Sequence, residues 1–437
     1  MSTELTTSEH KLPEQSLKLI PSGIDLTTFK TQLVVAAAVC LLAALALYCH
    51  VFKSGFRPDD LVVISRLASG LQSGWSNIPA ALTTPDFSAR GIGPLPAASL
   101  LVDYCLWHHH ASMYHVVNFA LFMGSAILVT QIAAAIGGLR GNRLGGAPAV
   151  WAGLLFCTYP LHGETVVMLS DRGYLLGGLF YLATVLFYIK FRTWKERSYF
   201  SLALGSCFLG LLCSTFDWTI PLTISMTEFL LIPLPTKLEA GRQSNLNSQR
   251  FMSVLLFWFV LFFTTSIGMV APALVPLRST PIDLSLAVKT VATLEGMKQI
   301  LLPMTDHHLI QYSSGIAYCL LLATLGARLV LRDGGVRILV FLVLWFVAGF
   351  AGMSPSLAGP HLVTDLSHAV RNNIAAISFI ASGPLCIGLA LCSLPGAGIV
   401  PRKYVAVLSA ISSCALTILT AAWFLASQVM VQALYNP

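Results

Sequence analysis

From about residue 31 onward the chain alternates between long apolar runs and short polar connectors. A helix needs roughly 20 apolar residues to cross about 30 Å of hydrocarbon. Runs of that order recur eleven times, with cores at 31–52, 114–138, 147–168, 173–192, 198–216, 218–235, 251–275, 309–330, 337–355, 373–394 and 404–430. The stretch 198–235 also reads as one broken element. The pattern predicts an all-α polytopic membrane protein with about 11 transmembrane helices: a tail at 1–30, a transmembrane domain at 31–430 and a short tail at 431–437. Two connectors, 53–113 and 276–308, are longer and carry helical periodicity. In the first, Ile64, Leu67, Leu71, Trp75 and Ile78 step by three or four; in the second, Leu284, Val288, Val291, Leu294, Met297 and Leu301 do the same. Thr280, Pro281 and Asp283 supply the second with an N-cap, a first-turn proline and a first-turn acid. Both are expected to lie in the membrane interface as amphipathic helices.

Composition agrees with a lipid solvent. The chain is 56% hydrophobic and 10% charged, against about 25% charged residues in soluble domains, and its mean hydropathy is +0.75. Residues 1–30 lack the basic-then-apolar layout of a signal peptide. The net charge of +7 reads as an orientation signal and calls for no nucleic-acid partner. Most of the basic residues, among them Arg140, Arg143, Lys190, Arg192, Lys195, Arg197, Arg402 and Lys403, fall in the short connectors on the side of the N-terminal tail. The positive-inside rule therefore predicts a cytoplasmic N-terminus and a C-terminus on the outer side. The connector 236–250 reads as polar and flexible. The cysteines fall mostly within apolar runs, with no CxxC and no zinc spacing, so neither a disulfide framework nor a metal cluster is expected.

Ionisable residues gather on the side of the long connectors. Asp59 and Asp60 follow the first run. The stretch "YPLHGETVVMLSDRGYLLGGLFYL" sets His162, Glu164, Asp171 and Arg172 between the third and fourth. Asp306, His307 and His308 precede the eighth run, and His361, Asp365, His368 and Arg371 precede the tenth. Such groups at membrane depth usually line an aqueous cavity or a bundle interior, so one polar cavity near the outer leaflet is expected. Plainer readings stand beside this one. Paired acids are often solvated loop charges, His162 and Glu164 equally well cap a helix end, and Arg172 and Arg371 equally well reach lipid phosphates. Three adjacent histidines, His108 to His110, cannot all face one ion. Glu228, inside the sixth run, reads as a structural hydrogen-bonder. The acid pair Asp59/Asp60 is the one place where a divalent cation would find ligands.

The segment from Tyr159 to Tyr188 resembles the "HPVH.E…GR…LLA.LF" segment of the GT-C superfamily of polytopic glycosyltransferases, and within it the protein O-mannosyltransferase-like branch that often carries tetratricopeptide repeats. Collinear matches support the resemblance over most of residues 31–400: the acid pair Asp59-Asp60; Leu95, Ser99, Asp103, Tyr104, Tyr114, His115 and Asn118; the helix ending in "LLP" near 303; and Arg371. The resemblance implies a sugar donor linked to polyprenyl phosphate, reached from the bilayer, and a protein or glycan acceptor on the outer side. Asp60, or Asp59, would deprotonate the acceptor hydroxyl. His162, Glu164 and Arg172 would build the site, with Arg371 near the departing phosphate; His115 and Arg90 also join the donor-binding set.

The chain departs from the pattern at several places. Gly93 replaces an arginine, with Arg90 three residues away, and Tyr159 replaces the first histidine. Leu212 to Thr215 lack the lysine and acid of the family's "LSKE", and Asn372 and Ile374 stand at two tyrosine positions. Fewer cations would then meet the leaving phosphate. That leaves a second reading, a catalytically inactive GT-C-derived subunit of a larger membrane complex with other membrane subunits as partners. A transporter fits less well: there is no inverted repeat, and the ionisable groups favour one face over the midplane.

Overall fold

The computed structural model describes residues 26–74, 93–139, 146–213, 215–232, 240–266, 315–317, 319–324, 336–351, 366–391 and 402–435. Among the described residues there is no strand. The helices are α1 Leu26–Tyr48, α2 Pro58–Gln72, α3 Pro94–Trp107, α4 Ala111–Leu139, α5 Gly146–Thr158 and α6 His162–Val167. They continue with α7 Arg172–Trp194, α8 Arg197–Leu211, α9 Ile220–Met226, α10 Ala240–Ser266, α11 Val336–Ala351, α12 Leu366–Leu391 and α13 Arg402–Tyr435.

Four of them, over Ala111–Gly137, Arg172–Trp194, Asn247–Ser266 and Ala406–Ala433, are long and apolar enough to cross a bilayer. Shorter apolar helices include Val34–Tyr48, Ala147–Thr158, Val336–Gly349 and Ser378–Leu391. The chain is an integral, multi-pass membrane protein. α7 is the hub: it packs on α4, α8, α9 and α12, while α5 joins α1, α4, α12 and α13. Their shared core holds Phe122, Phe156, Tyr181, Tyr188, Trp345 and Trp423, all fully buried. α10 turns Phe251, Phe259, Phe262 and Phe263 outward, as expected of a helix whose surroundings are hydrocarbon.

α2 and α3 form a satellite layer at the N-terminal end of α7. Val63, Ile64 and Leu67 of α2 pack on Ala97 and Leu100 of α3, and this small core closes on Tyr114 and Leu169. The periodicity read in the first long connector is therefore a real helix, ending at Gln72; Trp75 and Ile78 lie outside the described residues, as does the whole connector 276–308.

Three details differ from the sequence reading. The run 147–168 is two helices, because α5 stops at Thr158 ahead of Tyr159-Pro160 and α6 starts at His162. A proline lacks the N–H that would continue the helix ladder. The connector 236–250 is helical from Ala240 on: its polar residues simply begin α10. α3 is a further helix in the first long connector, opened by Pro94 at its first position.

Candidate active site

The first turn of α2 sets the acid pair. Pro58 occupies the first helical position, and Asp59 and Asp60 follow where the helix N-terminus favours negative charge. Asp60 is fully buried. Its Oδ2 accepts from the Arg57 amide of its own helix start at 3.3 Å. Its Oδ1 accepts from the amides of Leu169 and Ser170, both at 2.9 Å, in the turn before α7. One carboxylate thus ties the first long connector to the polar stretch more than a hundred residues away. Burial lifts the Asp60 carboxyl above the ordinary carboxylate range, with the three amide donors and the Arg57 charge opposing the rise. Asp59, one position earlier, is exposed.

Arg172, the first residue of α7, is fully buried and engaged along its whole guanidinium. Nε donates to Asn118 Oδ1 at 2.8 Å, Nη1 to Asp103 and to Ser99 Oγ at 3.3 Å, and Nη2 to the Tyr114 carbonyl at 3.2 Å. Asn118 in turn donates to the carbonyls of Val166 and Met168, at 3.4 and 3.2 Å. The arginine therefore pins α3, α4 and the α6–α7 turn together.

His162 is fully buried as well. Its Nδ1 lies 2.9 Å from the Phe156 carbonyl and its Nε2 lies 2.9 Å from Ser382 Oγ of α12. A carbonyl only accepts, so a ring N–H points at Phe156, and Ser382, whose hydroxyl also reaches the Phe379 carbonyl at 3.5 Å, holds the other nitrogen. His115 Nε2 is 3.0 Å from Ser54 Oγ, whose own proton goes to the Val51 carbonyl at 2.8 Å. Here the histidine donates, and α4 is tied to the turn that leads into α2.

The remaining acids cluster beside this frame. Asp171 and Glu164 are half-buried. Burial first, and then the neighbouring charges of Glu164, Asp60 and Asp59, push the Asp171 carboxyl well above the ordinary carboxylate range. Carboxylates suit a hard divalent cation, but Asp60 already receives three amide donors. Among the described residues no three His, Cys, Asp or Glu groups are placed to hold a metal ion. Three of the acceptor positions of Asp60 are thus taken by main-chain amides, while Asp59 beside it is exposed.

Of the residues expected at the site, Asp59, Asp60, Glu164, Asp171, Arg172 and His115 meet at the N-terminal end of α7, and His162 lies under them in the aromatic core. Arg90 lies outside the described residues, as do Asp306, His307, His308, His361 and Asp365. Arg371 lies on α12, three turns before Ser382. Sequence reasoning missed Ser54 and Ser382, which orient the two histidines. It also missed Asp217, a fully buried acid pressed against Gly177 of α7; the Gly177-Gly178 pair in an otherwise bulky helix is the signal that could have located it.

No protein-family model matches the chain. Curated relatives do. Over 111 residues it is 36% identical to the human protein O-mannosyl-transferase TMTC4, covering 24% of this chain and 15% of that protein. It is 26% identical over 265 residues to the Drosophila melanogaster protein O-mannosyl-transferase Tmtc2, covering 56% and 25% respectively. The Mus musculus protein O-mannosyl-transferase TMTC2 is 28% identical over 162 residues, covering 36% of this chain and 19% of that protein. The chain thus spans a quarter or less of the length of these relatives. A crystal structure of the Archaeoglobus fulgidus oligosaccharyltransferase tethered to an acceptor peptide superposes with a TM-score of 0.49 and 12% identity, over 94% of this chain and 56% of that one. The similarity of sequence is to the O-mannosyltransferase-like branch of GT-C glycosyltransferases, as the motifs alone indicate.

Proposed function

We propose that the chain is a membrane glycosyltransferase. It would move a sugar, mannose on the likeness to the O-mannosyl-transferases, from a polyprenyl-phosphate donor to a hydroxyl of a protein or glycan acceptor. The reaction takes place at the face that carries α2 and α3, which the positive-inside reading makes the outer one. The observation that carries this reading is the tie from Asp60 to Leu169 and Ser170. It fixes the acid pair over the polar turn while Asp59 remains exposed.

The roles within the pair follow from that geometry. Asp60 is a positioning residue, because its oxygens already accept three amide bonds. Asp59 is the base. Its carboxylate takes the proton of the acceptor hydroxyl as that oxygen bonds to the anomeric carbon, and the bond from that carbon to the donor phosphate breaks. The departing polyprenyl phosphate carries away the electron pair and needs cations in reach. Arg172 is engaged by Asp103, Asn118, Ser99 and Tyr114, so that duty falls to Arg371 and Arg90.

A second reading has its own support. His162, Arg172 and His115 are all held by protein partners, so three residues assigned to the donor also serve as frame, as they would in an inactive subunit of a membrane complex. Reconstitution in nanodiscs separates the two. With polyprenyl-phosphate mannose and a serine/threonine peptide, the wild-type chain is expected to form mannosyl peptide. Asp59→Asn is expected to lower the rate by about a hundredfold or more at an unchanged melting temperature. No product from the wild type, together with stoichiometric co-purification of other membrane subunits, would favour the inactive-subunit reading.

A further inference from the structure

Lys190 lies one turn before the C-terminal end of α7, the end opposite α2 and α3. The positive-inside reading makes that end the cytoplasmic one. The residue is half-buried. Its Nζ donates to Gln131 Oε1 of α4 at 3.2 Å and sits 5.9 Å from the ring centres of both Trp194 and Tyr199. The two rings meet edge to face at 5.3 Å, and Tyr199 stacks in turn on Phe187 at 6.4 Å. The ammonium thus stands in a bracket of aromatic rings whose outer member, Trp194, is 49% exposed.

Arg192, two residues further on, shows what is missing here. It pairs with Glu228 at 3.0 Å, whereas among the described residues no acid pairs with Lys190. Two positions along a helix are about 200° apart, so the two cations face different surroundings. Gln131 takes one of the three ammonium donors. A neutral amide and two ring faces leave the positive charge largely uncompensated. Just beyond, the chain adds cations at the surface. Lys195 ends α7 in the left-handed conformation, at φ 59°, where glycine is the usual residue. Arg197 opens α8. Both are exposed, with Glu196 the one acid between them.

Lysine stems and aromatic rings at the ends of membrane-spanning helices sit at headgroup depth, where anionic lipids of the cytoplasmic leaflet carry phosphate oxygens. We propose that Lys190, bracketed by Trp194 and Tyr199, binds the phosphate of an anionic phospholipid, with Lys195 and Arg197 drawing the headgroup in. A lipid fits better than a free anion, because the bracket lies on a membrane-spanning helix and its exposed indole offers apolar surface to an acyl chain. The site is at the other end of α7 from the acid pair and does not depend on the glycosyltransferase reading.

The test is native mass spectrometry of the full chain in detergent, offered equal amounts of phosphatidylserine and phosphatidylcholine. The wild type is expected to retain phosphatidylserine preferentially. Lys190→Met keeps the apolar stem and removes the charge, and is expected to lower that preference about tenfold or more. Lys190→Arg is expected to keep it. Trp194→Leu, at an exposed position where folding is little affected, is expected to lower it about two- to fivefold. If Lys190→Met retains the full preference, the lysine is only a helix-end cation and the proposal fails. A wild type that retains both lipids equally also overturns it. Loss of the preference on adding inorganic phosphate at constant ionic strength would assign the site to a free anion and overturn the lipid reading.

Discussion

The two ends of α7 each hold an arginine in a buried polar knot, and the knots are built on opposite charge ratios. At the N-terminal end, Arg172 meets one acid, Asp103, and fills its other donors with Asn118, Ser99 and a carbonyl. Further acids then stand around it: Asp60, Asp171, Glu164 and the exposed Asp59. At the C-terminal end one acid serves two cations. Glu228 is fully buried, pairs with Arg192 at 3.0 Å and with Arg250, and accepts from the Tyr188 hydroxyl at 2.8 Å. Arg250 also donates to the carbonyls of Glu228 and Ile232, at the edge of the π-helical turn Thr227–Leu231. That irregular turn leaves carbonyls for which the helix supplies no amide, and the arginine satisfies them. The second knot is closed upon itself and reads as scaffold. The first gathers several carboxylates around a single buried arginine, the kind of ionisable cluster on which the proposed site rests.

The largest expected effect comes from breaking the first knot. Arg172→Met keeps most of the volume but leaves Asp103 buried and unpaired and releases Asn118. Removing one partner of such a pair costs about 3–5 kcal/mol, so a large fall in the unfolding midpoint in detergent is expected. A silent substitution would show that α3 and α4 are held by packing alone. The second knot should yield less. Glu228→Gln preserves an acceptor for Tyr188 and the arginines but removes the charge, with an expected loss of about 1–3 kcal/mol. Donor-lipid binding at the other end of α7 should not change; a change there would mean the ends are coupled.

The smallest effect sharpens the contrast through pH. Asp171 is raised by burial and then by its acidic neighbours, so the folded chain holds this proton more tightly than the unfolded chain does. Its contribution is fully present below the ordinary carboxylate range and is lost as pH rises through the raised value. Asp171→Asn should therefore leave the melting temperature unchanged at about pH 4 and raise it at about pH 8. Equal shifts at both values would mean that the Asp171 carboxyl is not raised in the folded chain.

Much of this was legible in the chain itself, for reasons that differ by residue. Pro58-Asp59-Asp60 announces a helix start in local terms, and the steps from Ile64 to Leu71 show which face it buries. Glu228 reads as a structural group because it sits alone in an apolar run. The break at Tyr159-Pro160 was hidden because hydropathy averages across 147–168 and does not register one missing amide. The partners of Arg172 lie on α3 and α4, 54 to 73 positions away, and no local pattern encodes such a contact; the collinear family matches at Ser99, Asp103 and Asn118 point to it only indirectly. Asp217 was invisible for the converse reason: its isolation is a property of what packs around it.

The Asp60 tie has a bearing on how this protein can change over generations. Its distant donors are main-chain amides, which nearly every amino acid provides. Leu169 and Ser170 can therefore be replaced at the level of this contact without weakening it, and the burden falls entirely on the acid. Among natural replacements at those two positions, proline alone removes the donor. Drift in the turn and constancy at position 60 are thus compatible, and a single proline is the substitution that would cut the connection from the far side.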